Sequence, residues 1–293
     1  MTPALHRRAL ALMLLSAAAF TANVLLVRAL NELHFANIWL VSCARFVVGL
    51  IIVSIVYRHE WQPRHLWQRG KLVERGLAGA IGVYLTYLCV IKLGAGRATF
   101  INNTYVIWGA LLAAWLLKEK LRPSVFIGSV AALAGLALLT NVFSATAAPG
   151  YYDGLAVLAS LISAYVVVTI RQLHATEHSS TIFAAQCFYG LLLCGGPALR
   201  QLQPITWLGL GVTLLASLCA ALAQLAMTRA FRDLPVAEGA IIQMLVPLGI
   251  AAGGFVFFQE HFTGYELAGA ALILSGTAFT ALRSATTANL KAE

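Results

Sequence analysis

The sequence predicts an all-α integral membrane protein in which ten transmembrane helices form two inverted five-helix repeats. Three observations support this fold class: long apolar runs, the distribution of basic residues among the loops, and an internal duplication. Of the 293 residues, 60% are hydrophobic and only 11% are charged, and the mean hydropathy is +0.82. This composition excludes an ordinary soluble domain.

The apolar runs are long enough to cross a membrane as helices. A hydrocarbon layer about 30 Å thick requires roughly 20 apolar residues, since a helix rises about 1.5 Å per residue. Helices are favoured over barrel strands because the runs are about twice as long as a transmembrane strand. The predicted spans are 9–30, 36–57, 73–93, 97–117, 123–143, 152–173, 179–199, 205–229, 235–258 and 264–283.

Basic residues sort by loop and do not cluster on one face or in one tail. With the N-terminus in the cytoplasm, the outer segments hold only Arg28, Lys92, Arg97 and Arg200, and Arg45 lies in mid-span. The positive-inside bias then predicts cytoplasmic N- and C-termini. The net charge of +9 therefore reports topology, and no nucleic-acid partner is expected. The inner segments hold Arg7, Arg8, Arg58, Arg64, Arg69, Lys71, Arg75, Lys118, Lys120, Arg122, Arg171, Arg229, Arg232, Arg283 and Lys291.

An internal repeat divides the chain into residues 1–147 and 148–293. The segment KEKLRPSVFIGSVAALAGLALL, from Lys118, aligns without a gap with QEHFTGYELAGAALILSGTAFT, from Gln259. Because each half has an odd number of predicted spans, the second half is inverted relative to the first. Inverted repeats are typical of alternating-access transporters, and a duplication without any role in transport is the alternative.

The repeat alignment also pairs individual residues. Glu119 falls opposite Glu260, and a looser match places Arg28 opposite Arg171. The two halves join near SATAAPG, residues 144–150.

The chain resembles the drug/metabolite transporter superfamily in its ten-helix EamA form. The resemblance rests on the tandem halves, on Glu119 and Glu260 closing the fourth helix of each half, on glycine pairs seven residues apart in the following helices, and on LVPLG around Pro247. The length, the aromatic inner helices and NNTYVIW resemble the bacterial aromatic amino acid exporters. Val106 departs from the pattern, because many relatives carry proline in both halves, so the fourth helix of the first half is expected to be straighter.

Polar side chains inside the fourth predicted span indicate a cavity. An unpaired amide in hydrocarbon costs several kcal/mol, so it must face protein or water. Asn102, Tyr105 and Trp108 follow one another at i, i+3 and i+6, and Gln243 falls opposite Asn102 in the repeat alignment. Two amides at symmetric positions predict that these residues line an axial substrate cavity. The alternative is that these amides form hydrogen bonds between helices.

Similar polar or aromatic stripes occur on other predicted spans. They mark the inner face of a bundle, although aromatic residues also serve in packing and in interfacial belts. The candidate substrate-binding residues on these stripes are Tyr84, Tyr87, Asn23, Tyr165 and Gln224.

Two ionisable residues within spans are further candidates. Arg45 requires a partner, which is either a substrate carboxylate or carbonyl groups of the protein itself. Glu238 enters the ninth span near its cytoplasmic end and is a possible coupling or gating residue. The scarcity of acids inside the spans favours a facilitator or exchanger, with a proton-driven pump as the alternative.

The favoured interpretation is a transporter of the bacterial inner membrane. We expect it to export small amphiphilic metabolites, above all amino acids including aromatic ones; the family resemblance supplies this substrate class. The alternatives are a drug or sugar/nucleotide-type transporter and, more remotely, an intramembrane enzyme, for which no nucleophile and base are evident. We expect a monomer in membrane lipid, with no cofactor and no metal. The segment HATEH, residues 174–178, fits a zinc-protease pattern but lies in a short loop without a further ligand.

Overall fold

The computed structural model describes residues 3–32, 38–120, 123–142, 150–200 and 206–289. In these ranges the chain is helical, without strands, and each of the ten predicted spans corresponds to a helix or to a pair of consecutive helices. The all-α membrane fold is therefore confirmed. The helices are α1 (Pro3–Glu32), α2 (Ile38–Val56), α3 (His65–Gln68), α4 (Gly70–Leu93), α5 (Ala95–Asn103), α6 (Tyr105–Leu116), α7 (Pro123–Leu139), α8 (Tyr151–Leu173), α9 (Ser179–Arg200), α10 (Trp207–Ala230), α11 (Val236–Gln243), α12 (Leu245–Phe258) and α13 (Gly264–Asn289).

Seven helices of the described residues are long and apolar enough to cross a bilayer, counting α11 and α12 together. The apolar helix α7 is shorter and ends at Leu139, before the predicted end at residue 143. Asn141 follows it with a φ of 47°, a left-handed conformation that ends a helix. The predicted junction of the halves near 144–150, including the boundary between 147 and 148, lies almost wholly outside the described residues.

Both fourth helices are interrupted at nearly equivalent positions, Thr104 and Met244. In the second half, Pro247 lacks the N–H that would bond to the carbonyl of Gln243. In the first half, the Thr104 hydroxyl lies 2.7 Å from the Ile101 carbonyl, to which it donates, and 2.8 Å from Ser160 Oγ. A hydroxyl that bonds to the preceding turn loosens a helix without proline. The fourth helix of the first half was expected to be straighter because Val106 replaces proline. That prediction is wrong, since the fourth helix is interrupted in both halves.

Helix packing follows a pseudo-twofold axis. α1 packs on α10 and α12, and the corresponding helix of the second half, α8, packs on α4 and α6. Across the axis, α2 packs on α9 and α7 packs on α13. The last contact brings Gly128 against Gly276 and Gly135 against Gly269, so that the backbones nearly touch. Each helix of this antiparallel pair uses its two aligned glycines.

Ion pairs repeat the same symmetry at opposite ends of the bundle. Arg28 pairs with Glu260 at 2.7 Å, and Arg171 pairs with Glu119. Both pairs join one half to the other. We call the two ends of the bundle the Glu260 end and the Glu119 end.

The Glu119 end is densely packed. The fully buried side chains at this end are Leu72, Phe231, Leu234 and Val236. Met13, closer to the middle of the bundle, is also fully buried. Phe231 and Met13 lie directly against Gly239, where even a Cβ atom would clash with both. Among the described residues, the space inside the bundle extends to the Glu260 end, where Arg28 and Glu260 line it.

Candidate functional site

A continuous internal space runs from the middle of the bundle to the Glu260 end. It begins as a deep cavity of about 330 Å³, continues as an upper cavity of about 380 Å³, and ends in a vestibule of about 440 Å³ beside Arg28 and Glu260. The deep and upper cavities share lining residues, and the upper cavity and the vestibule share Thr99, Pro247 and Ile250. The residues common to the first two are Phe20, Val24, Thr86, Tyr87, Tyr105 and Gln243.

Seven of the residues selected from the sequence line these cavities, contributed by helices of both halves. The deep cavity is lined by Asn102 and its repeat partner Gln243, which therefore meet around one space. The lining set is Asn23, Arg45, Tyr87, Asn102, Tyr105, Gln224 and Gln243.

Two of the lining amides also join helices. Gln243 Nε2 donates to Ser16 Oγ at 2.9 Å and lies 3.0 Å from Met13 Sδ, which connects α11 to α1. Asn23 Nδ2 donates to the Ala216 carbonyl at 2.8 Å, which connects α1 to α10. The two interpretations of these amides, cavity lining and helix contact, therefore apply to the same side chains.

Asn102 differs from these amides. Its Oδ1 atom is buried and has no hydrogen-bond partner among the described residues. A buried carbonyl oxygen without a donor costs about 1–3 kcal/mol. Asn102 is a lining residue of the deep cavity, so this unpartnered oxygen lies in the cavity wall.

Trp108, Tyr84 and Tyr165 are absent from the lining. In a helix, residues three apart differ by about 60° around the axis. Two such steps place Trp108 about 120° from Asn102. The Trp108 side chain is 38% exposed. Tyr84 stacks on Trp39 with ring centroids 5.1 Å apart. The Tyr165 hydroxyl donates to Glu74 Oε2 at 3.0 Å. The aromatic surface of the deep cavity instead comes from Phe20, Tyr87 and Tyr105.

Arg45 lies in the wall of the deep cavity. Its Nη2 atom donates to Gln224 Oε1 at 3.3 Å, and its guanidinium lies 5.9 Å from the ring centroids of both Phe20 and Phe46. Within the described ranges, no carboxylate pairs with it. The cation is therefore held by one amide and two ring faces.

Arg75 is a buried cation that sequence reasoning missed. Counted among the inner loop charges, it in fact lies more than a turn inside α4 and has no exposed surface. Its Nη2 atom donates to Gln186 Oε1 at 2.9 Å, while Nε and Nη1 have no partner among the described residues. Gln186 lines the deep cavity. Gln186 could have been found from the sequence, because it is a polar residue inside an apolar span, as Asn102 is.

Glu238 lies away from the lining, near the Glu119 end. It is buried, and its Oε2 atom is 3.9 Å from Nε2 of His6, which is also buried. This contact joins α11 to the start of α1.

The residues of HATEH have separate partners. His174 Nε2 lies 2.7 Å from the Thr228 carbonyl, and His178 Nδ1 lies 2.8 Å from Ser180 Oγ. Glu177 accepts from His65 at 2.9 Å and from Arg69 at 2.8 Å. Because a carbonyl oxygen only accepts, His174 Nε2 donates to Thr228, and burial lowers the pKa of the His174 ring. These contacts fasten the loop after α8 to its neighbours.

The fold and the site together define a class of protein: a helical membrane bundle with two inverted halves around an axial cavity. The chain belongs to the EamA-like transporter family, whose profile matches residues 7–141 and again residues 151–282. It is therefore a membrane transporter of the drug/metabolite superfamily.

Individual relatives are distant. The pseudopaline exporter CntI of Pseudomonas aeruginosa, in strains UCBPP-PA14 and PAO1, is 22% identical over 235 residues, which cover 78% of this chain and 81% of the exporter. A crystal structure superposes with a TM-score of 0.72 at 17% identity, covering 90% of this chain and 95% of the other. At that identity the superposition supports the fold alone.

Proposed function

We propose that this protein exports amino acids and similar small amphiphilic metabolites across the bacterial inner membrane by alternating access. In this proposal both termini are cytoplasmic, so that the Glu260 end faces the periplasm and the observed cavity is open outward. The packed layer around Met13 and Phe231 is then the barrier that separates the cavity from the cytoplasm.

One observation carries the proposal: the walls of the deep cavity combine ring surfaces with an amide, Asn102, whose buried Oδ1 atom has no partner among the described residues. Phe20, Tyr87 and Tyr105 offer an apolar body a stacking surface. The amino group of an amino acid offers the donor that Asn102 lacks. Binding pockets of this kind, mostly apolar with a few placed polar groups, suit amphiphilic small molecules.

The distant relative named as a pseudopaline exporter supports outward transport of a metabolite. Its low identity does not carry its substrate to this chain. Drugs and sugar- or nucleotide-type metabolites remain the alternative substrates within the same superfamily. An intramembrane enzyme is the alternative of a different class.

Counterflow in liposomes tests the proposal. Purified protein should exchange external labelled phenylalanine for internal unlabelled phenylalanine or leucine, and the label should be recovered chemically unchanged. An enzyme would convert the label. Absence of exchange with every amino acid, combined with exchange of a drug or a sugar by the same preparation, would replace the proposed substrate class.

Variants of the two aligned amides refine the test. Asn102→Ala should reduce phenylalanine and leucine exchange alike, by roughly fivefold, because one hydrogen bond to a shared amino group is lost. Gln243→Ala should also lower the unfolding temperature, because it removes the contact with Ser16. Unchanged exchange in Asn102→Ala would remove this residue from the binding site.

A further inference from the structure

We infer that the deep cavity is an anion site, in which Arg45 binds a carboxylate of the transported molecule and Arg75 strengthens that binding from beneath the floor. The inference rests on the proposed transport function and specifies the charge of its substrate. It comes from two guanidinium groups that lack acidic partners within the described residues.

Arg45 is available to a ligand in the cavity. Its side chain lines the deep cavity, and its protein hydrogen bond to Gln224 is long at 3.3 Å. A guanidinium carries five N–H donors, arranged so that two of them match the two oxygens of a carboxylate. The single bond to Gln224 leaves such a pair of donors for a bound molecule.

Arg75 adds a second positive charge at the floor. It is fully buried, and its Nη1 atom is the atom closest to the place that a Cβ would take on Gly79, a lining residue. Gly79 and Gln186, the two residues that Arg75 touches here, both line the cavity. A fully buried cation is costly unless an opposite charge lies close by.

The cavity itself supplies no compensating acid. None of the described residues that line the deep or the upper cavity is Asp or Glu. In a cleft with low-dielectric walls, charges of one sign act on an incoming ion more strongly than the same charges do in bulk water. The cavity should therefore bind anions, accept zwitterions through their carboxylate, and exclude amines that lack one.

Direct binding to the purified protein tests this selectivity without relying on transport. The probes share a phenyl ring and differ in charge: phenylsuccinate, 3-phenylpropionate, phenylalanine and phenethylamine. By titration calorimetry, the three carboxylates should bind at least tenfold more tightly than phenethylamine, and phenylsuccinate most tightly. Arg45→Gln should weaken the carboxylates roughly ten- to hundredfold and leave phenethylamine within about threefold.

A second variant keeps Arg45 in place. Gln224→Glu puts a carboxylate at the hydrogen-bonding position on Arg45, so it should weaken carboxylate probes as strongly as Arg45→Gln while the protein stays folded. Gln224→Met is its matched control, because it removes the amide without adding charge. This control should affect all four probes alike.

The outcomes separate the inference from the proposed function. Equal binding of phenethylamine and 3-phenylpropionate by the wild type, or charge selectivity that survives in both Arg45→Gln and Gln224→Glu, would overturn the anion site. So would failure of all four probes to bind. Selectivity that depends on Arg45, together with no exchange of labelled phenylalanine in liposomes, would uphold the anion site and reject amino acids as the cargo.

Discussion

Single residues in the stretch ATFINNTYVIWGA, residues 98–110, have different roles although their spacing suggested one ridge. Asn102 and Tyr105 line the deep cavity, whereas Trp108 faces away from it. Thr104, between them, bonds to the preceding turn and contacts Ser160 of α8. Polarity inside a span identified the segment, and the rotation of the helix decided which side chains reach the cavity.

We expect Tyr87→Ala to weaken exchange of phenylalanine by roughly two- to tenfold, and more than exchange of alanine, since an aromatic contact contributes about 0.5–1.5 kcal/mol beyond its buried area. Trp108→Ala is the matched control in the same bundle and should exchange phenylalanine as the wild type does, per folded molecule. The measurement is initial counterflow rate in liposomes. If phenylalanine exchange fell in Trp108→Ala and not in Tyr87→Ala, Trp108 would belong to the binding site after all.

The residues of the site were only partly predictable. Asn102, Gln243 and Arg45 stand out because polar groups are rare in apolar spans. Arg75 did not stand out, because a basic residue near the start of a span is ordinary in a positive-inside loop. Its burial depends on α9 packing against α4, which brings Gln186 to it, and such a contact has no local signal in the sequence.

At the scale of elements, the helices are held by contacts that occur twice. The glycines of α7 and α13 meet as Gly128 with Gly276 and Gly135 with Gly269. The ion pairs Arg28–Glu260 and Arg171–Glu119 are likewise repeated. The glycines and the two glutamates were aligned by a gapless duplication, which keeps helix faces in register, and the two arginines by a looser match. The interruption at Thr104 could not be expected, since no proline marks it.

The glycine contact gives a sharp stability prediction. A Cβ on Gly135 would lie 2.5 Å from the Gly269 carbonyl oxygen and 2.8 Å from the Ile273 nitrogen, so Gly135→Ala forces the backbones apart. We expect it to cost about 3 kcal/mol and to lower the unfolding temperature in detergent. Gly211→Ala is the control, because nothing lies within 4 Å of its Cβ position. Equal stability of the two variants would contradict the close approach.

The two ion pairs should differ in strength. Glu119 is largely buried, pairs with Arg171 and accepts from the Val236 N–H at 3.1 Å, whereas Glu260 is 39% exposed. Glu119→Gln should therefore cost about 1–3 kcal/mol, and Glu260→Gln less than about 1 kcal/mol. Thermal unfolding at two salt concentrations measures both. A larger loss of stability in Glu260→Gln than in Glu119→Gln would show that the exposed ion pair is the stronger one.

Among the described residues, the bundle is packed at the Glu119 end, and its internal space extends to the Glu260 end. Thr99 lies where the upper cavity meets the vestibule, and Leu234 lies in the packed layer at the Glu119 end. The sequence predicted the inverted halves around a cavity, because span number and charge bias determine topology. It did not indicate which end is open, since both conformations place the same residues in the same helices.

Cysteine labelling tests both the topology and the open end. In a cysteine-free background, an impermeant maleimide should label Gln259→Cys from the periplasmic side only and Lys118→Cys from the cytoplasmic side only. Thr99→Cys should react from the periplasmic side and Leu234→Cys should be protected. Labelling of Gln259→Cys and Lys118→Cys from one side would refute the inverted arrangement, and rapid labelling of Leu234→Cys would place the barrier elsewhere.

The charges of the deep cavity, unlike the contacts that hold the bundle, belong to one half only. α9 and α10 take in the second half the places of α2 and α4, and their basic residues are Arg200 and Arg229 at the helix ends. A bound molecule therefore meets a fixed electrical direction across the pseudo-twofold axis, whichever end is open. In the proposed alternating-access cycle, the acidic head of the cargo would stay against the same wall while the helices rearrange, and the cargo would not turn over in transit. A synthetic chain of two identical halves would keep the glycine crossing and the paired ions, but it would no longer distinguish head from tail.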